Sequence, residues 1–196
     1  WSPDGQRLVY WGYDEAEGVH TISTAAADGG DVREIIESGE ALDRPVWHPR
    51  GTHIALGAQT DGNWDIWVAD SDGAGVRRLT YDAQMESNPL WRPDGPHISY
   101  KVAPNKAYNL TIQNFLNVEG GFESPTVRQW DGVKSIQMND WSPDGRKIAY
   151  TAEIVTNASG EDRVSYLPAV EEVSFTGART SGTPVILSGH NTLGDR

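Results

Sequence analysis

Trp141-Ser-Pro-Asp-Gly-Arg-Lys-Ile-Ala-Tyr150 is the stretch that decides the fold. Its first half reads as a strand end followed by a tight turn. Pro presets φ at about −65°, Asp tolerates the next turn position, and Gly supplies a left-handed one without a Cβ clash. Its second half opens a new strand. Outward from it, the phrase recurs as Trp1-Ser-Pro-Asp-Gly5, Trp47-His-Pro-Arg-Gly51 and Trp91-Arg-Pro-Asp-Gly95. Arg50 replaces Asp in the second copy, which a type I turn tolerates. The four tryptophans are 46, 44 and 50 residues apart. That period belongs to a repeat protein whose units share one architecture.

The residues after each turn align position by position. Seven residues past each Trp stand Leu8, Ile54, Ile98 and Ile148, and nine past stand Tyr10, Leu56, Tyr100 and Tyr150. The residues between them, Val9, Ala55, Ser99 and Ala149, are mostly smaller. This period of two predicts a strand with one strongly buried face. A third strand is expected around Ile66 and Val68, matched by Leu110 and Ile112 and by His20 and Ile22. After the turn signals Asp28-Gly29 and Asp72-Gly73, a fourth strand is expected at Val32–Ile35, Val76–Leu79 and Val127–Trp130. In the last repeat Thr156–Glu161 reads as an inserted loop, Val164–Tyr166 as the third strand and Pro184–Leu187 as the fourth. Four antiparallel strands per repeat of about 45 residues make the blade of an all-β propeller.

At these residues the chain resembles the TolB-like, WD-like propeller family. Its W-S-P-D-G turn and K-I-A-Y strand appear at Trp141–Tyr150, its D-I-Y-V-x-D strand at Asp65-Ile-Trp-Val-Ala-Asp70, and its R-R-L-T at Arg77–Thr80. The resemblance spans essentially the whole chain. It departs at Arg50, before Phe115, and in the fourth-repeat insertion. It implies one of several settings: partner-binding TolB proteins of the bacterial envelope, or propellers attached to prolyl-oligopeptidase-type enzymes, tricorn-like proteases and some polysaccharide lyases. An extracytoplasmic, periplasmic location is implied by the resemblance alone. Rings of about six or more blades are implied, within the range of about four to eight known for propellers.

Blades are expected at approximately 1–40, 41–84, 85–135 and 136–190, all within one domain. The first should lack its innermost strand, and residues 190–196 should approach or close a further blade. The expectation is therefore a partial propeller, able to self-associate through open blade edges. A four-blade ring closed by the C-terminal segment is the competing arrangement.

With 28 acidic and 16 basic residues, the formal net charge is −12. That argues against an unaided nucleic-acid or anionic-membrane binder, since both need cationic patches. No apolar run approaches the roughly 20 residues of a bilayer-spanning helix. The absence of cysteine excludes disulfides and thiolate metal sites. No G-x-S-x-G elbow is present either, so nucleophilic catalysis finds no support.

The inner strand of each blade lines a propeller's channel, so the polar residues just before each Trp are the candidate partner-binding set. These are Asp43, Arg44, Glu86, Asn88, Asn139 and Asp140, and by analogy His190, Asp195 and Arg196. The alternative is that they solvate the channel and tie blades together. The histidines His20, His48, His53, His97 and His190 lack the i, i+4 spacing of a helical zinc site. His20, in line with Ile66, is expected to be buried. The Asp-Gly pairs at 28–29, 61–62 and 72–73 read as turns, because none completes a calcium loop. Trp11, Trp64, Trp67 and Trp130 could offer a carbohydrate-stacking surface, with Trp11 and Trp64 the better exposed. No metal, cofactor or catalytic residue is assigned. The expected function is a non-catalytic binding or scaffold module for a protein or peptide partner. The alternative is the substrate-gating propeller of a prolyl-oligopeptidase-like hydrolase, or part of a propeller-fold polysaccharide lyase.

Overall fold

The Trp-x-Pro-x-Gly phrases close as the tight turns their composition predicts. In the computed structural model, which describes residues 1–103, 112–117, 133–158, 161–172 and 185–186, each phrase makes an i to i+3 hydrogen bond. Gly5 N–H donates to Ser2 O, Gly51 to His48 O, Gly95 to Arg92 O and Gly145 to Ser142 O, at 2.8–3.0 Å. All four glycines have positive φ, from 66° to 105°. The Ser and Asp of the phrase have a defined structural task. Asp4 Oδ1 accepts from Ser2 Oγ at 2.6 Å and from Gln6 N–H at 3.0 Å, and Ser2 Oγ accepts from Arg7 N–H at 2.8 Å. Asp144, Ser142, Arg146 and Lys147 repeat the pattern. These bonds hold both carboxyls below the usual range, the Ser hydroxyl first and the backbone N–H second.

All described elements are strands in antiparallel sheets. The first sheet orders β1 (Arg7–Asp14), β2 (Val19–Ala26) and β3 (Arg33–Ser38). The second orders β4 (Leu42–Trp47), β5 (His53–Thr60), β6 (Asn63–Asp70) and β7 (Arg77–Arg78). The third pairs β8 (Met85–Trp91), β9 (His97–Ala103) and β10 (Ile112–Asn117). The fourth orders β11 (Val133–Trp141), β12 (Lys147–Ala158), β13 (Glu161–Glu172) and β14 (Val185–Ile186). Strands β4, β8 and β11 each end on the Trp that opens the turn. The molecule is a partial β-propeller of up-and-down blades.

The register revises several sequence alignments. Trp11 pairs with Ile22 and Gly57 with Ile66, so Ile22, not His20, is the counterpart of Ile66. His20 takes the place of Trp64, because the β1–β2 hairpin turn is two residues longer. It stacks on Tyr13 with ring centroids 4.5 Å apart and is half-buried. In the third sheet Ser99 pairs with Phe115, which makes Phe115, not Ile112, the counterpart of Val68. In the fourth, the expected Thr156–Glu161 loop is the tip of a long hairpin in which Ala158 still pairs with Glu161. Val127–Trp130 lies outside the described residues.

Blades stack through apolar clusters. Ile22 and Ile35 pack with Leu42, Ile54, Leu56 and Ala69 between the first two sheets. Ala55, Ile66 and Val68 meet Trp91, Ile98 and Tyr100 between the next two, and Leu90 joins Trp141, Ile148 and Tyr150. The turn phrases also interlock. A Cβ on Gly51 would lie 3.7 Å from Pro3, on Gly95 3.3 Å from His48, and on Gly145 3.2 Å from Arg92. Arg92 is buried, donates from Nε to Gly145 O at 2.8 Å, and lies over the Trp141 ring at 5.5 Å.

The first blade departs from the expected burial. Leu56, Tyr100 and Tyr150 are almost fully buried, whereas Tyr10, at the same repeat position, is 40% exposed. Trp11 and Tyr13 are exposed beside it. Tyr10 lies on the face of β1 opposite Val9, which packs towards the second sheet, and among the described residues no strand pairs with β1 on the side away from β2.

Candidate functional site

The inner strands place the polar residues that precede each Trp. All three described inner strands carry a register shift there, between Asp43 and Val46, Ser87 and Leu90, and Gln137 and Asp140. In the first two, Arg44 and Asn88 adopt left-handed φ of 49° and 54°, each followed by proline. Such bulges re-aim side chains and recur at sheet rims and beside binding sites. Asn accepts this backbone readily, while Arg does so at a conformational cost.

Arg44 is exposed and Asp43 half-buried, with Nε and Oδ2 3.3 Å apart. Asn88 is half-buried. Asp140 is exposed and accepts from the Trp141 N–H at 2.8 Å. Asn139 sits in the β11 register shift, and its side chain lies outside the described residues. So do His190, Asp195 and Arg196.

Glu86 is a different case. It is fully buried between the second and third blades. Its register partner is Val102, as Leu42 faces Ala58 and Ile136 faces Ala152, so a carboxyl stands where the other blades have Leu and Ile. Burial pushes its pKa up to about 7; the Thr80 hydroxyl and Arg78 pull it down, while the Asp82 and Asp65 carboxylates push it further up. Neither Glu86 oxygen has a well-aligned hydrogen bond, so the Thr80 hydroxyl acts by proximity. Thr80 itself accepts from the Ile66 N–H at 2.9 Å. Asp65 is also fully buried and pairs with Arg78 at 2.8 Å. Burial raises its pKa and the Arg78 guanidinium opposes that. The sequence signal for this buried acidic centre was present: Glu86 breaks the apolar column of Leu42 and Ile136.

Lys101, like Asp65, is absent from the candidate set. It lies on β9 opposite Ser87 and is half-buried. Burial lowers its pKa, and the nearby Arg44 charge lowers it further.

His48, His53 and His97 serve the turns. Buried His48 accepts the Arg50 N–H at Nδ1 and meets Trp91 edge-on at 4.6 Å. His53 pairs with Asp70 at 3.3 Å, and His97 with Asp94 at 3.1 Å. Among the described residues no three His, Asp or Glu side chains gather as a metal site. Trp11 is exposed as expected, but Trp64 is half-buried with its ring 3.5 Å from the Cβ position of Gly57.

The family model of the TolB β-propeller domain matches residues 1–153. The chain belongs to that family. No curated protein matches it. Among solved structures, it is similar to a putative TolB from Agrobacterium tumefaciens, at 18% identity and a TM-score of 0.67, covering 87% of this chain and 59% of that one. A puromycin hydrolase matches at 16% identity and a TM-score of 0.66, covering 93% of this chain and 28% of the hydrolase. An oligogalacturonate lyase in complex with manganese matches at 14% and 0.55, covering 78% and 39%. The chain thus spans less than two thirds of the length of each of these proteins. At such identities the likeness is one of fold. No helix of the described residues is long and apolar enough to cross a membrane.

Proposed function

We propose that this TolB-type propeller domain is a non-catalytic binding module that presents its inner-strand bulges to a protein or peptide partner. The observation that supports it is the register shift ahead of Trp47, Trp91 and Trp141, which sets Arg44 and Asn88 at equivalent places on two blades and leaves Asp43 and Asp140 at its margins. Polar side chains held on a rigid scaffold but not consumed by its packing are the usual material of a recognition surface. Likeness to TolB structures supports an extracytoplasmic setting for that partner. The unpaired side of β1, with exposed Tyr10, Trp11 and Tyr13, supports self-association as an additional contact.

Cross-linking and pull-down from native lysate test the proposal. A specific partner lost in an Arg44→Ala and Asp140→Ala double variant supports it. Hydrolase or lyase turnover by the isolated chain overturns it. That outcome would favour the second possibility, a propeller that gates substrate in a larger enzyme, which the likeness to part of a puromycin hydrolase and of an oligogalacturonate lyase supports.

A further inference from the structure

The first two blades do not close on each other completely. Between them lies a cavity of about 310 Å³, lined by Ile36 of β3, Leu42 of β4, Leu56 and Ala58 of β5, Trp67 of β6 and Val76 just ahead of β7. The register explains the space. Leu42 faces Ala58 and Leu56 faces Trp67 across their strands, so these four side chains share the face of the second sheet that packs on the first. In the third sheet Tyr100 and Val102 hold the places of Leu56 and Ala58, because Ile98 pairs with Trp91 as Ile54 pairs with Trp47. Both are buried in the cluster that joins the third sheet to the second. One interface thus carries a phenol ring and an isopropyl group where the other carries only an isobutyl and a methyl group.

Walls and rim differ in chemistry. Leu42, Leu56 and Ala58 are buried, and Ile36 and Trp67 are partly buried against the same cluster. Apolar walls that enclose unfilled space lack contact partners on that side and favour an apolar occupant over water. The charged residues that line the cavity, among those described, are Glu37 on β3 and Glu40 on the connection to β4, both exposed. Glu40 holds one long contact, its Oε1 accepting from the Asp61 N–H at 3.4 Å. No described lysine or arginine lines it, and the whole chain has a net charge of −12. An occupant that suits both parts has an apolar body for the walls and a positive charge for the rim. The cavity stands at the low end of the range of about 300–1,000 Å³ usual for small-molecule sites, so that body is compact.

We propose that the cleft between the first and second blades binds a small organic amine. Its apolar body packs on Leu56, Ala58 and Trp67, and its ammonium lies at the rim formed by Glu37 and Glu40. Burial of the body supplies most of the affinity, and the exposed carboxylates supply a modest preference for positive charge. None of the polar residues ahead of the Trp bulges lines this cleft, and the site does not rest on the binding-module proposal.

The test uses three probes of one shape and different charge at neutral pH: 2-phenylethylamine, 2-phenylethanol and 3-phenylpropanoate. Each is titrated into the protein at constant ionic strength while the methyl resonances of Leu42, Leu56 and Ala58 are followed by NMR. The expected result is saturable movement of these methyls, with the amine binding about five-fold more tightly than the alcohol and the carboxylate binding most weakly. The preference for the amine over the alcohol should vanish when Glu37→Gln and Glu40→Gln are combined. Ala58→Val, which copies Val102 of the next blade, should fill part of the cavity and weaken the amine by about ten-fold or more. No saturable movement with any probe in the unmodified protein overturns the site, and that measurement needs no variant to fold. An alcohol or carboxylate that binds as tightly as the amine overturns the ligand class. Unchanged affinity in Ala58→Val, with its urea midpoint showing a folded protein, overturns the placement of the ligand. Failure on any of these counts leaves the binding-module proposal as it stands.

Discussion

Replacing Tyr100 with Ala and, separately, Tyr10 with Ala tests the stacking of the blades at one repeat position in two environments. Both residues stand nine past the Trp of their repeat. Tyr100 has no exposed surface and packs with Trp91, Ile98, Ile66 and Val68 between the second and third blades. Tyr10 is 40% exposed on the outer face of β1. Truncating a fully buried aromatic side chain costs about 3–5 kcal/mol, because the lost transfer energy is compounded by the cavity left behind. Tyr100 also loses an interaction with a partner group, which adds to that cost. At Tyr10 solvent fills the space, no closed cavity forms, and the expected cost is about 1 kcal/mol or less. Urea unfolding followed by tryptophan fluorescence and far-ultraviolet circular dichroism measures both. With a denaturant slope of about 2 kcal/mol per molar, the Tyr100 variant should lose roughly 2 M in its midpoint and the Tyr10 variant less than about 0.5 M. Equal losses would refute the assignment of these strands to a closed and an open blade face.

Three further outcomes are expected. Glu86 keeps its proton in the folded state up to about pH 7, whereas the unfolded chain releases it near 4.5; stability should therefore fall as pH rises between these values and level off above them. A shift of that size corresponds to about 3 kcal/mol, and thermal or urea melts of Glu86→Gln or Glu86→Leu across pH 5–8 should lack that slope. Arg92→Met should destabilise by about 1–3 kcal/mol, because it leaves the Gly145 carbonyl without its buried donor; an unchanged melting temperature would mean that the turn phrases do not staple neighbouring blades. Asp4→Ala, at an exposed turn, should move the urea midpoint far less than Tyr100→Ala, and a comparable loss would contradict the turn's local role.

The turn phrase and the large-small-large strands were legible because both are local. A left-handed glycine, a preset proline φ and the alternation of side chains across a strand depend on near neighbours in the chain, so four copies were enough to specify blades. Register beyond the second strand was less legible. Counting residues from the Trp matched His20 with Ile66, but a hairpin turn two residues longer moved Ile22 there instead. The length of a turn alters the offset without altering the pattern of either strand.

The candidate residues divide in the same way. That polar side chains precede each Trp was written in the sequence. Which of them face solvent was not, since Arg44 and Glu86 look alike as charged residues ahead of a turn. The bulge at Arg44 re-aims one outward, while Glu86 stays in register with Val102 and is sealed by the neighbouring blade. Lys101 carried no signal beyond being a lysine in a strand, and only the packing around β9 half-buries it. The amino-acid sequence by itself determined the blade, its turn and its repeat, because these follow from backbone sterics and period-two burial. Tertiary structure alone decided which charges are desolvated and which meet, because electrostatic energy depends on distance and solvent exposure between blades that lie tens of residues apart in the chain.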